Sequence, residues 1–159
     1  MLDQQIIKEI ERYIELHQIE IYSLYESVDA EYVTKEMELE DFIENNREPE
    51  FQQVLFEFID RSGLRDPEVY KRAGIDRRHF SKIRSSRNYL PKKNTLIALA
   101  FALELDREET DELLHAAGYS LTNSDTSDLV IQYCLEKRIT NIHDVNEALD
   151  YFSLEPLMG

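Results

Sequence analysis

Residues 69–93 read VYKRAGIDRRHFSKIRSSRNYLPKK, and the fold turns on how this stretch is parsed. Gly74 interrupts it. A glycine takes the left-handed conformation that ends helices at little cost, and an aspartate such as Asp76 is a favoured N-cap. The stretch therefore reads as helix, tight turn, helix. In the second helix Phe80 and Ile83 lie three residues apart and face inward. At about 100° per residue, that anchoring sends Arg78, Ser81, Lys82 and Ser85 outward. Arg77 falls in the first turn, within reach of a phosphate or a base edge, and Arg84 leans to one flank. Arg87, Lys92 and Lys93 follow in the loop.

The charge of this region opposes that of the chain. The 159 residues carry 33 acids and 18 lysines and arginines, a net charge of −15. Between Asp60 and Ala100, eleven cations face four acids, a local net of +7, so the remainder sums to −22. A uniformly acidic protein repels nucleic acid, but a segregated one does not. A lone helix of this kind fits the major groove of DNA, with outward side chains on base edges and flanking cations on phosphates. The same cations also suit pairing with acids of the chain itself, or an acidic protein partner.

Upstream, "DPEVYKRAG" places Asp66 as an N-cap, Pro67 at the first helical position and Gly74 as the stop. Before it, "EFQQVLFEFIDRSG" puts Phe51, Val54, Leu55, Phe58 and Ile59 on one helical face and ends at Gly63. Downstream, "TLIALAFALEL" is apolar on nearly every side. It reads as a central buried helix that starts at Asn94 or Thr95. "DREETDELLHAAGY" follows with Asp106 as cap and Gly118 as terminator. "TSDLVIQYCLEKR" and "NIHDVNEALDYF" supply two more helices, the latter capped by Asn141 or Asp144, although "DLVIQYCL" alone also suits a strand. Phe51, Phe56, Phe58, Tyr70, Phe80 and Phe101 fit helix packing, so they belong to the core.

Toward the N-terminus, Ile6, Ile10, Tyr13, Ile14 and His17 mark an amphipathic helix, and residues 19–46 suggest one or two shorter ones. Residues 45–49 read as a linker. The expected organisation is an acidic helical arm over 1–48 and a helical bundle over 49–159. The arm holds fourteen acids against Lys8, Arg12, Lys35 and Arg47, a net of −10. Draped over the basic stripe, it would compete with phosphate.

Other functional classes find little support. No apolar run approaches the ~20 residues of a membrane span, and no signal sequence leads the chain. Cys134 has no cysteine partner, and a cytoplasmic protein is expected. His17, His79, His115 and His143 lie in separate segments without metal-ligand spacing, and neither a nucleophile elbow nor a glycine-rich phosphate loop occurs. The reading is non-enzymatic, without metal or cofactor.

The residues that build the helix pair also carry a resemblance. Gly74, Ile75 and Asp76, the run Phe80-Ser81-Lys82-Ile83, Pro91 before the next helix, its Leu99-Ala100 and Ala102-Leu103 pairs, and the closing Glu112–Leu114 resemble the XRE-type (Cro/repressor) helix-turn-helix family. The likeness covers about residues 51–115. It implies an all-α, lambda-repressor-like five-helix bundle, usually a dimer, that reads operator DNA through the helix beginning near Arg77. In that family a small residue generally stands where this chain has Tyr70. A longer likeness spans most of residues 50–159, including the two helices after the five-helix core. That region is similar to a C-terminal module of some bacterial proteins that carry a macrodomain in front. It implies a bacterial context and an accessory recognition role.

The expected function is double-stranded DNA binding in transcriptional control, by a homodimer. Arg77, Arg78, Ser81 and Lys82 would lie in the major groove, with Arg84, Arg87, Lys92 and Lys93 on phosphates. The alternative is a protein-interaction adaptor that uses the same face on an acidic partner.

Overall fold

A computed structural model describes residues 3–17 and 28–157. Among these the chain is all-helical and divides into two compact units, Met1–Glu48 and Pro49–Gly159.

The first unit contains α1 (Gln4–His17) and α2 (Val28–Asn46), packed on each other. The inward face of α1 is rotated from the one its pattern suggests. Ile14 is buried and Ile7 and Ile10 are half-buried, whereas Ile6 and Tyr13 point to solvent. A spacing of 7, 10 and 14 serves a helical face as well as 6, 10 and 13, and the packing on α2 selects the former. The described part of residues 19–46 is one helix of 19 residues, and the segment before Val28 lies outside the described residues.

The second unit runs α3 (Phe51–Ser62), α4 (Asp66–Ala73), α5 (Arg77–Ser85), α6 (Lys93–Ala102), α7 (Arg107–Ala116), α8 (Thr126–Glu136) and α9 (Ile142–Tyr151). Local chemistry sets most of the boundaries. Gly63 and Gly74 are left-handed, at φ 70° and 72°. At the second of these turns the Ile75 amide donates to the Tyr70 carbonyl at 2.9 Å, closing α4. Asp106 and Glu109 form a reciprocal capping box on α7. Asp125 and Asn141 cap α8 and α9.

Two starts differ from the expected ones. Arg65, not Asp66, is the extended residue before α4, so Asp66 and Pro67 both lie in its first turn. α6 begins at Lys93, with Lys92 at the cap position and no side-chain cap.

All residues of α6 from Thr95 to Ala102 are buried. It packs against α4, α7 and α9, while α3 lies on α7 and α8 bridges α7 and α9. Leu55, Ile83, Leu96, Leu99, Phe101, Leu113, Leu114, Ile131 and Leu149 have almost no exposed surface. At about 1.5–3 kcal/mol for each large apolar side chain removed from water, these contacts dominate the stabilisation of the unit. Phe51, Phe58, Phe80 and Phe101 are buried, and Phe56 and Tyr70 are half-buried against the same core. The segment "DLVIQYCL" is helical in α8. The C-terminal segment returns to the bundle: Leu157 is buried, and its amide donates to Asn146 Oδ1 at 2.8 Å.

Candidate nucleic-acid interface

α5 is held rigidly. Asp76 caps its start, accepting from the His79 amide at 2.7 Å. Phe80 and Ile83 bury its inner face, and Tyr70 of α4 lies on Phe80 with ring centroids 5.6 Å apart. At the other end Gln52 of α3 donates to both the Ile83 and Ser86 carbonyls, each at 2.9 Å. The Ile83 carbonyl belongs to the last turn, where helices leave acceptors unmatched, and the Ser86 carbonyl at the cap also accepts from the Tyr89 amide at 3.1 Å. Gln52 is buried at a position spaced three and seven residues from Leu55 and Ile59, inside an otherwise apolar stripe. A polar residue at such a position was the available signal for this contact.

The outward face of α5 presents Arg77, Arg78, Ser81, Lys82 and Ser85 to solvent. Arg77 and Arg78 have no ion-pair or side-chain hydrogen-bond partner among the described residues. The first turn contains no acid. Two guanidiniums thus stand unpaired at the start of the helix, where the Asp76 cap meets the dipole and the arginines themselves are left to receive an anion. Lys82 lies over the Tyr89 ring, 4.4 Å from its centroid, and the Tyr89 hydroxyl is 2.9 Å from His79 Nε2. Tyr89 therefore packs partly on the core and fastens the loop after α5 to its polar face. His79 is half-buried in this arrangement rather than a freely exposed side chain.

The remaining cations separate into two kinds. Lys92 is exposed, with no ion-pair partner among the described residues, and Arg87, 82% exposed, makes only a long, solvent-screened ion pair of 3.8 Å with Glu50. Arg84 is already engaged, 3.3 Å from Asp66 and stacked over Phe56 at 4.8 Å. Lys93, grouped by sequence with the phosphate-binding cations, sits 2.7 Å from Asp128, a carboxylate with only 5% of its side chain exposed. Asp128 also accepts from the Thr122 amide at 2.9 Å. Lys93 is thereby a fastener between α6 and α8, and its ammonium is not free for phosphate. The cations available on the ridge are Arg77, Arg78, Lys82, Arg87 and Lys92.

Elsewhere, Cys134 is buried in α8 and burial raises its thiol pKa, which keeps it protonated and unreactive near neutral pH. Among the described residues no group of three or more His, Cys, Asp and Glu is placed to hold a metal ion, and no helix is long and apolar enough to cross a membrane. No protein-family model, no curated protein and no solved structure matches the chain.

Proposed function

We propose that α4 and α5 form a helix-turn-helix within a lambda-repressor-like five-helix core, α3 to α7, and that α5 binds the major groove of double-stranded DNA in transcriptional control. Arg77, Arg78 and Ser81 face the base edges, Lys82 spans groove wall and backbone, and Arg87 and Lys92 hold phosphates. A homodimer presents two such helices about 34 Å apart, matching successive grooves.

One observation carries the reading. Arg77 and Arg78 occupy the first turn of a helix pinned at both ends, exposed and with no ion-pair partner among the described residues, the Asp76 carboxylate beside them being spent on the cap. Cations placed for stability alone would sit at the other end. Arg84 and Lys93 show the contrast, since each meets a carboxylate within the bundle. An arriving phosphate or guanine edge would supply what the fold withholds from the two arginines.

The test is a titration of random duplex DNA with the full chain at two salt concentrations, followed by fluorescence anisotropy. The affinity falls with salt, with a slope of roughly −0.9 for each phosphate neutralised. Arg78→Glu removes the binding and leaves the melting temperature in place. Parent and variant binding duplex equally, or neither binding at any salt, sinks the groove-docking proposal.

A further inference from the structure

The first unit has its own unfilled feature. Between α1 and α2 runs a groove of about 430 Å³, floored by Ile7 and Ile10 on one side and Leu39 and Phe42 on the other. Phe42 is 64% exposed and Leu39 55%. The described residues of this unit leave that face open, and an unclosed apolar stripe is costly in water. The edge of the groove is acidic. Glu36 and Glu38 line it, and Lys35, the one cation of the lining among the described residues, is neutralised by Glu11. One carboxylate oxygen of Glu38 is withdrawn from water with no hydrogen-bond partner among the described residues. A turn of that side chain would offer it to an incoming donor, relieving a desolvated anion.

We infer that this groove docks a cationic amphipathic helix from another protein, with apolar side chains at spacings of three and four seated between α1 and α2 and lysines or arginines along the acidic rim. A helix is the shape that fits. The floor is made by two packed helices, and a third laid along them completes ridge-into-groove packing. The 19 residues of α2 give it a length of about 28 Å to follow. Charge selects the chemistry of the occupant. With fourteen acids against four bases over residues 1–48, the same unit of a second copy would bring −10 against −10, whereas a basic helix meets complementary potential.

The test uses the full chain and a fluorescein-labelled peptide of about 18 residues with leucines at helical spacing and lysines elsewhere, long enough to span the groove. A scrambled peptide of the same composition controls for bulk charge. The amphipathic peptide should bind at least about tenfold tighter than the scramble and gain helical circular dichroism on binding. Leu39→Ser with Phe42→Ser should erase that preference while the helicity of the chain stays unchanged, because both side chains are exposed. Equal binding of the two peptides, or a preference surviving in the double variant, overturns the inference. So does a parent that ignores both peptides, whether it sediments as a monomer or as a dimer dissolved by Phe42→Ser. In the last case a second copy is the occupant.

Discussion

The second unit contains two kinds of cation within one short span, and they answer to different demands. Lys93 points into the bundle and meets a buried carboxylate, and Arg84 lies across an aromatic ring beside Asp66. Arg77 and Arg78, at the start of the helix that carries Arg84 in its last turn, have no ion-pair or side-chain hydrogen-bond partner among the described residues. The first pair makes the fold and the second is tolerated by it. Residue type alone does not separate the two, but the surroundings do: Lys93 meets a desolvated carboxylate and Arg84 a ring and a partly exposed one, whereas the two arginines meet neither among the described residues.

The sharpest way to break this comparison is at Lys93. Lys93→Met leaves Asp128 almost fully enclosed with no counter-charge, and Thr122 alone cannot balance it. Removing one member of such a pair typically costs about 3–5 kcal/mol, and the lower end applies because Lys93 keeps some solvent contact. Urea denaturation should show it as a drop in midpoint with an unchanged slope. Arg78→Ala in the same assay should stay within about 0.5 kcal/mol of the parent. Equal losses in the two variants would erase the distinction.

Gln52 gives the next largest effect. Gln52→Ala strips two donors from carbonyls at the end of α5, one of them beside buried Ile83. The Ser86 carbonyl keeps the Tyr89 amide, but the Ile83 carbonyl is left unsatisfied, which costs about 1–3 kcal/mol. Since the change loosens the helix that carries Arg78, duplex affinity should fall with stability, although Gln52 itself reaches no groove. A stable Gln52→Ala protein with parental DNA affinity would show that α5 needs no anchor at its end.

Most of the helix boundaries were legible because local chemistry wrote them. Gly63 and Gly74 adopt the left-handed turn that their residue type permits, Asp76, Asp106 and Asn141 cap helices through their own side chains, and α6 is apolar on all sides because it is surrounded. Where a boundary rests on a distant residue, the pattern misled. α6 starts at Lys93 rather than Asn94 or Thr95, beside an ion pair to a residue 35 positions away. For the same reason Lys93 looked like a phosphate ligand: its partner arrives from α8, and no spacing within the loop announces it. The outward set Arg78, Ser81, Lys82 and Ser85 follows from two anchors and a helical period. The clasp of Lys82, Tyr89 and His79 depends on how the loop folds back, which composition does not encode.

Within the ridge itself, base reading and phosphate holding separate in a third comparison. Arg78→Ala should cost about 1–3 kcal/mol on a preferred duplex, with less lost on unrelated sequence, as expected of a side chain that contacts a base edge. The measurement is a competition between the preferred and the random duplex at fixed salt. Loss of the same size on both would assign Arg78 to the backbone.

Lys92 should give the smallest change and the most uniform one. It is exposed at the cap position of α6, where its side chain makes no capping bond, so its removal leaves the fold undisturbed. A cation there acts on DNA as a point charge, and a point charge does not distinguish one base pair from another. Lys92→Ala should therefore weaken preferred and random duplex by the same factor. It should also make the slope of log affinity against log salt shallower by about 0.9, the release of one phosphate's counterion. Affinity and slope are separate readouts, and together they identify the role. A uniform loss with an unchanged slope would mean that Lys92 steadies the loop between α5 and α6 and never touches the backbone.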